Sequence, residues 1–102
     1  MERVKELIFN GIKINLLLRR ALVSNCFVEL RNKEFNLLKF LLQNRGRVIS
    51  RTEILEEVWD RNIFCPTNTV DVHISNLRKK LRSHQKDQII KTVHSVGYLV
   101  EP

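Results

Sequence analysis

Residues 67–84, TNTVDVHISNLRKKLRSH, constrain this chain more than any other stretch. At 100° per residue, Val70, Ile74, Leu77 and Leu81 fall in one narrow stripe, so the segment reads as an amphipathic helix with that stripe in a core. The opposite side carries Val72, Ser75, Asn76 and Lys79, with Arg78 and Arg82 on one flank and Lys80 on the other. Such a helix, small and amide-bearing along its free face and cationic at its edges, can lie in a DNA major groove. The amide and hydroxyl would meet base edges, and the cations the phosphates. The same residues also describe a plain solvated helix whose basic C-terminal half complements its own dipole.

Charge narrows the choice. The net charge is +7, and residues 1–51 carry eleven Lys and Arg against four acids, while residues 52–102 carry seven of each. The second half is neutral only on average: Glu53, Glu56, Glu57 and Asp60 cluster, and a mainly basic 78–86 follows. Segregation of this kind suits a domain that docks on a polyanion in one orientation, although an acidic protein or membrane surface would also attract it. At 102 residues the chain makes one domain with a single modest core. No apolar run approaches a membrane span and no signal peptide is legible, so the expectation is an intracellular protein. Cys26 and Cys65 are too few and too isolated for a disulfide framework and read as plain thiols.

Along the chain, residues 1–6 read as linker. Leu7-Ile8-Phe9, a turn at Asn10-Gly11 and Ile12-Lys13-Ile14 then form a hairpin. Residues 16–23 continue in extended character, Ser24-Asn25 turns, and 26–30 closes a set of short antiparallel strands without a phosphate loop, clustered carboxylates or a Ser/His/Asp spacing. From Asn32 the period changes: Phe35, Leu38, Leu41 and Leu42 mark a helix that stops at Asn44-Arg45-Gly46. Val48-Ile49 is a short connector. Ser50-Arg51-Thr52-Glu53 matches a capping box and opens a second helix through Ile54, Leu55, Val58 and Trp59. Residues 60–66 form a loop ending at Pro66. After the long helix, residues 88–93 read as a strand, and 94–97 turn into Tyr98-Leu99-Val100.

Three helices followed by a two-stranded hairpin are the parts of an α+β winged helix-turn-helix. The sequence also resembles the DNA-binding output domains of OmpR/PhoB-type response regulators. The resemblance is carried by Glu34-Phe35-Asn36-Leu37-Leu38, by residues 48–51 followed by Leu55 and Val58-Trp59, by Thr69-Val70-Asp71-Val72-His73-Ile74 with Leu77-Arg78-Lys79-Lys80-Leu81, and by Thr92-Val93 with Gly97-Tyr98. It covers essentially the whole chain. What it implies is a four-stranded N-terminal sheet, a three-helix core and a C-terminal wing, with the third helix in the major groove and the wing at the neighbouring minor groove. By motif position, Asn68, Thr69, Val72, Ser75, Asn76, Arg78, Lys79 and Arg82 would face DNA; Arg51 and Trp59 would meet backbone phosphates; and Thr92, His94, Ser95 and Tyr98 belong to the wing. Asp60, Arg61, Asn62, Ile63, Phe64, Cys65 and Pro66 match the segment that can touch RNA polymerase. The resemblance further implies two copies head to tail on a direct repeat of double-stranded DNA, a phosphorylated N-terminal receiver domain in a longer protein, and a bacterial cytoplasmic setting without membrane, metal or cofactor.

The chain also departs from the family. His94-Ser95 stands where members often carry Arg-Gly, and a neutral histidine gives less in a narrow minor groove than an arginine. Ser75 and Asn76 replace positions that are often basic. Arg31 occupies the usual threonine cap of the first helix, which makes Asn32 the expected cap. Plainer readings stand beside the functional ones. Trp59 is first a packing residue, and His73 a packed, hydrogen-bonded histidine. Tyr98 is as suited to closing the wing on the core as to touching DNA, and Asp71 pairs with a nearby cation or helps the helix start. His73 and His84 stand about 16 Å apart along a helix, too far to share a metal. Two other functions stay open: a winged-helix protein-interaction module with only non-specific DNA affinity, and a cysteine-based enzyme or redox switch. No activated nucleophile arrangement supports the latter.

Overall fold

The computed structural model describes residues 5–59, 66 and 68–102. Asn10-Gly11 and Ser24-Asn25 set the first sheet. All four hold positive φ, 50° and 81° in the first turn and 52° and 65° in the second, the conformation that tight hairpins demand. Strands β1 (Glu6–Phe9), β2 (Ile12–Asn15), β3 (Arg20–Val23) and β4 (Cys26–Val28) thereby form an antiparallel meander. Ile12, Ile14, Ala21 and Val23 point inward and are fully buried. Glu6 pairs with Asn15, and the Lys5 carbonyl accepts from Leu16 N, so the end of the expected linker belongs to the sheet. The extended run expected over 16–23 is interrupted. The Asn15 side chain accepts from Leu17 N and Leu18 N at 3.0 and 2.9 Å, and this local turn takes the place of ladder bonds.

Helix α1 (Asn32–Gln43) buries Phe35, Leu37, Leu38, Leu41 and Leu42. The cap position is Arg31 and not Asn32. Arg31 offers no side-chain acceptor, and Glu34 reaches back to accept from Arg31 N at 2.8 Å, while the Asn32 amide oxygen accepts from Arg19. The helix ends at Asn44, and Gly46, at φ 91°, donates its N–H to the Val100 carbonyl. The expected connector at Ile49 is a strand: β5 (Ile49–Ser50) pairs with Tyr98 and Gly97. Ser50 then caps α2 (Arg51–Val58), its hydroxyl accepting from Glu53 N at 3.1 Å. Helix α3 (Asn68–Arg82) buries Val70, Ile74, Leu77 and Leu81, the stripe read from the sequence. Residues Asp87–Ile89 form a 3-10 turn, so the strand expected from residue 88 begins later, at β6 (Ile90–Val93), which pairs with β7 (Gly97–Val100). Strand order β5-β7-β6 makes the hairpin part of a second, three-stranded sheet. One hydrophobic core joins both sheets and all three helices. Among the described residues no helix is long and apolar enough to cross a membrane.

Candidate nucleic-acid interface

The core anchors one side of α3 and leaves the other exposed. Asn68, Val72, Ser75, Lys79 and Arg82 are exposed at spacings of three or four residues, with Thr69, Asn76 and Arg78 half-buried beside them. Val72 is 55% exposed among these polar neighbours. Lys79 has no hydrogen-bond or ion-pair partner among the described residues. Arg82 reaches Asp87 at 3.3 Å from an exposed position.

Several expected contact residues turn inward. Tyr98 is 4% exposed, and its hydroxyl donates to Asp71, so it seats the wing on the core and presents no free surface. Arg51 donates from Nε to Asp71 at 2.7 Å, with its guanidinium over the Tyr98 ring. Arg78 donates to the Ile90 carbonyl from Nε and Nη2, at 3.2 and 2.7 Å, and to the Thr92 hydroxyl at 2.9 Å. Trp59 packs partly into the core, its ring edge-on to His73 with centroids 4.8 Å apart, and His73 Nδ1 lies 2.9 Å from the Thr69 carbonyl. Packing roles for Trp59 and His73, and a cation partner for Asp71, are thus as the plainer readings had them.

Electrostatics follows these bonds. Burial works to raise the Asp71 carboxyl, but the Tyr98 hydroxyl and Arg51 outweigh it and hold it below the usual carboxylate range. Burial, then the Asp71 bond and charge, pushes the Tyr98 phenol up against the opposing Arg51. At the wing tip His94, Ser95 and Val96 are all exposed, and Ser95 holds φ 63°. A glycine adopts that conformation without cost, whereas a serine there carries some backbone strain. Val96, read from the sequence as part of the turn but not as a contact residue, is 52% exposed at the tip; a β-branched residue inside a turn was the available signal. Residues 60–65, expected to face RNA polymerase, lie outside the described residues. Pro66 is exposed, and its carbonyl accepts from Thr69 N. Among the described residues no group of three or more His, Cys, Asp or Glu could hold a metal.

Residues 25–100 match the model of the family described as transcriptional regulatory protein, C terminal. The chain belongs to that family. Its members include the winged-helix DNA-binding domains of OmpR/PhoB-type response regulators. Over 91 residues the chain is 40% identical to the response regulator ArlR of Staphylococcus aureus, covering 89% of this chain and 42% of ArlR. It therefore spans about two fifths of that relative's length. The structure of the RstA DNA-binding domain of Klebsiella pneumoniae, solved in complex with the RstA box, superposes with a TM-score of 0.79 at 30% identity, covering 96% of this chain and 98% of that one. DrrB, an OmpR/PhoB homologue of Thermotoga maritima, superposes at 0.84 with 28% identity, over 96% of this chain and 45% of DrrB. The domain is thus a DNA-binding domain of the response-regulator class, a family of transcription regulators.

Proposed function

We propose that this domain reads double-stranded DNA sequence-specifically, with α3 in the major groove and the β6–β7 wing at the neighbouring minor groove. The observation that carries the reading is the exposed stripe of α3 opposite its buried one. Val72 offers methyl contact to thymine, the Asn76 amide can pair with adenine, and Ser75 discriminates weakly. Lys79 and Arg82 supply phosphate contacts, and Asn68 and Thr69 sit at the N-terminus of α3, where the helix dipole favours a phosphate. Arg51 and Trp59, at the two ends of α2, are held inward by Asp71 and by the core, so any phosphate contact they make is secondary to that packing. His94 and Ser95 place a weaker electrostatic contact at the minor groove than an arginine would. No catalysis is required: phosphate contacts give salt-dependent affinity and base contacts give specificity.

Within a longer regulator the domain would act as the output half of a two-component system. A phosphorylated receiver would bring two copies onto a tandem direct repeat, and residues 60–66 would touch RNA polymerase. On this reading the regulator would work in the bacterial cytoplasm, where its DNA lies. Selection of bound duplexes from a random pool, followed by a salt series on the winner and a scrambled control, tests the reading. The expected result is a tandem half-site and a log–log salt slope of magnitude about 4 to 8. On the winning site, Asn76→Ala should relax preference at one base position, whereas Lys79→Ala should weaken all sequences similarly and reduce the slope by about 1. A similar slope with no preferred sequence would favour a protein-interaction module whose basic face meets an acidic partner.

A further inference from the structure

Asp71 lies in the first turn of α3, but its bonds leave that helix. One carboxylate oxygen, Oδ1, accepts from Arg51 at the start of α2 and from the Tyr98 hydroxyl on β7. Arg51 and Arg78 both lie over the Tyr98 ring, at 5.1 and 5.6 Å from its centroid, and Arg78 also holds the Ile90 carbonyl and Thr92 of β6. Beside this cluster the hairpin is attached through the two-residue strand β5, the Gly46–Val100 backbone bond and its core side chains Ile90 and Val100. A two-stranded hairpin is marginal by itself, so its pose depends on what clamps it.

We propose that Asp71 is a positioning residue for DNA recognition. By fixing the Tyr98 hydroxyl and Arg51 it sets the distance and angle of the wing to α3, so that reading by the helix and reading by the wing are coupled through one carboxylate. This rests on the groove assignment proposed above. Burial opposes ionisation of Asp71 but the two donors outweigh it, so the carboxylate is the charged acceptor at neutral pH. A role confined to starting the helix through its dipole would instead weaken every contact alike.

The test uses the whole domain with Tyr98→Phe, which keeps the buried ring and removes only the hydroxyl, beside Asp71→Asn and Asp71→Ala. Two readouts are taken: amide hydrogen exchange of the hairpin in the free protein, and affinity for the selected site with base pairs under the wing and under α3 changed separately. Loss of this one bond should quicken hairpin exchange relative to α1, and lower discrimination at wing-side base pairs, by about fivefold each, while helix-side discrimination is kept. Asp71→Asn retains an oxygen acceptor for Tyr98 and should lie nearer the wild type than Asp71→Ala. A wild type without any base preference would sink the groove assignment. A wild type that discriminates, beside a Tyr98→Phe domain with unchanged hairpin exchange or with equal losses at both sets of base pairs, would overturn this proposal alone.

Discussion

Glu34 is a buried carboxylate, 3% exposed, that ties the start of α1 to α3: it accepts from Arg31 N and from Lys80 Nζ. Burial works to raise its pKa, but the bonds and charges of Lys80 and Arg31 prevail and hold it below the usual range. The folded state therefore favours the charged form. The resulting stability is fully present above the unfolded-state value of about 4.3 and is lost as pH falls through the lower folded-state value. Glu34→Gln should cost about 1–3 kcal/mol at pH 7, and the gap to the wild type should narrow on acidification. Urea unfolding at pH 7 and about pH 3 checks this, and a gap that stays constant would refute it. None of this pairing was legible in the sequence. Glu34 and Lys80 stand 46 residues apart, and their meeting depends on how two helices cross. The buried stripe Val70, Ile74, Leu77 and Leu81 was legible because helical period is a local property.

At the scale of elements, long periodic segments and short strands beside a clear turn were read correctly, whereas a strand without a turn of its own was not. Strand β5 has only two residues, too few to show alternation, so it passed for a connector; it exists because β7 pairs with it. Gly97 looked like a turn residue, yet its role is to let two backbones approach. A β-carbon there would fall 2.0 Å from the Ile49 carbonyl oxygen and 2.9 Å from Ser50 Cα. Backbone cannot yield as a flexible side chain would, so Gly97→Ala should cost at least about 2 kcal/mol, toward the upper end of overpacking penalties. In a domain of this size that is a fall in Tm of about 10 °C or more. Calorimetry checks the fall, and amide chemical shifts should change mostly along β5, β6 and β7. A variant that melts with the wild type would mean that β5 does not hold the hairpin at this distance.

For the whole molecule, the two sheets and three helices share one core, which includes Ile12, Ile14 and Val23 of the first sheet together with Leu38, Leu77 and Val100. The N-terminal strands were legible as scaffold from their turns, but not as half of the wall around the helices, since that depends on which face of each strand the chain turns inward. The consequence is cooperativity. Trp59, packed against this core beside α3, reports the helices, while far-UV circular dichroism reports all elements, so the two thermal transitions should coincide. Removing residues 1–28 should abolish folding of the helices rather than release a stable winged module. Point changes separate the sheet's two faces: Ile14→Ala should cost about 2–5 kcal/mol, whereas Phe27→Ser, at a side chain 72% exposed, should stay within about 0.5 kcal/mol. Transitions separated in temperature, or an Ile14→Ala domain as stable as Phe27→Ser, would mean that the first sheet is an appendage and the helices carry the fold without it.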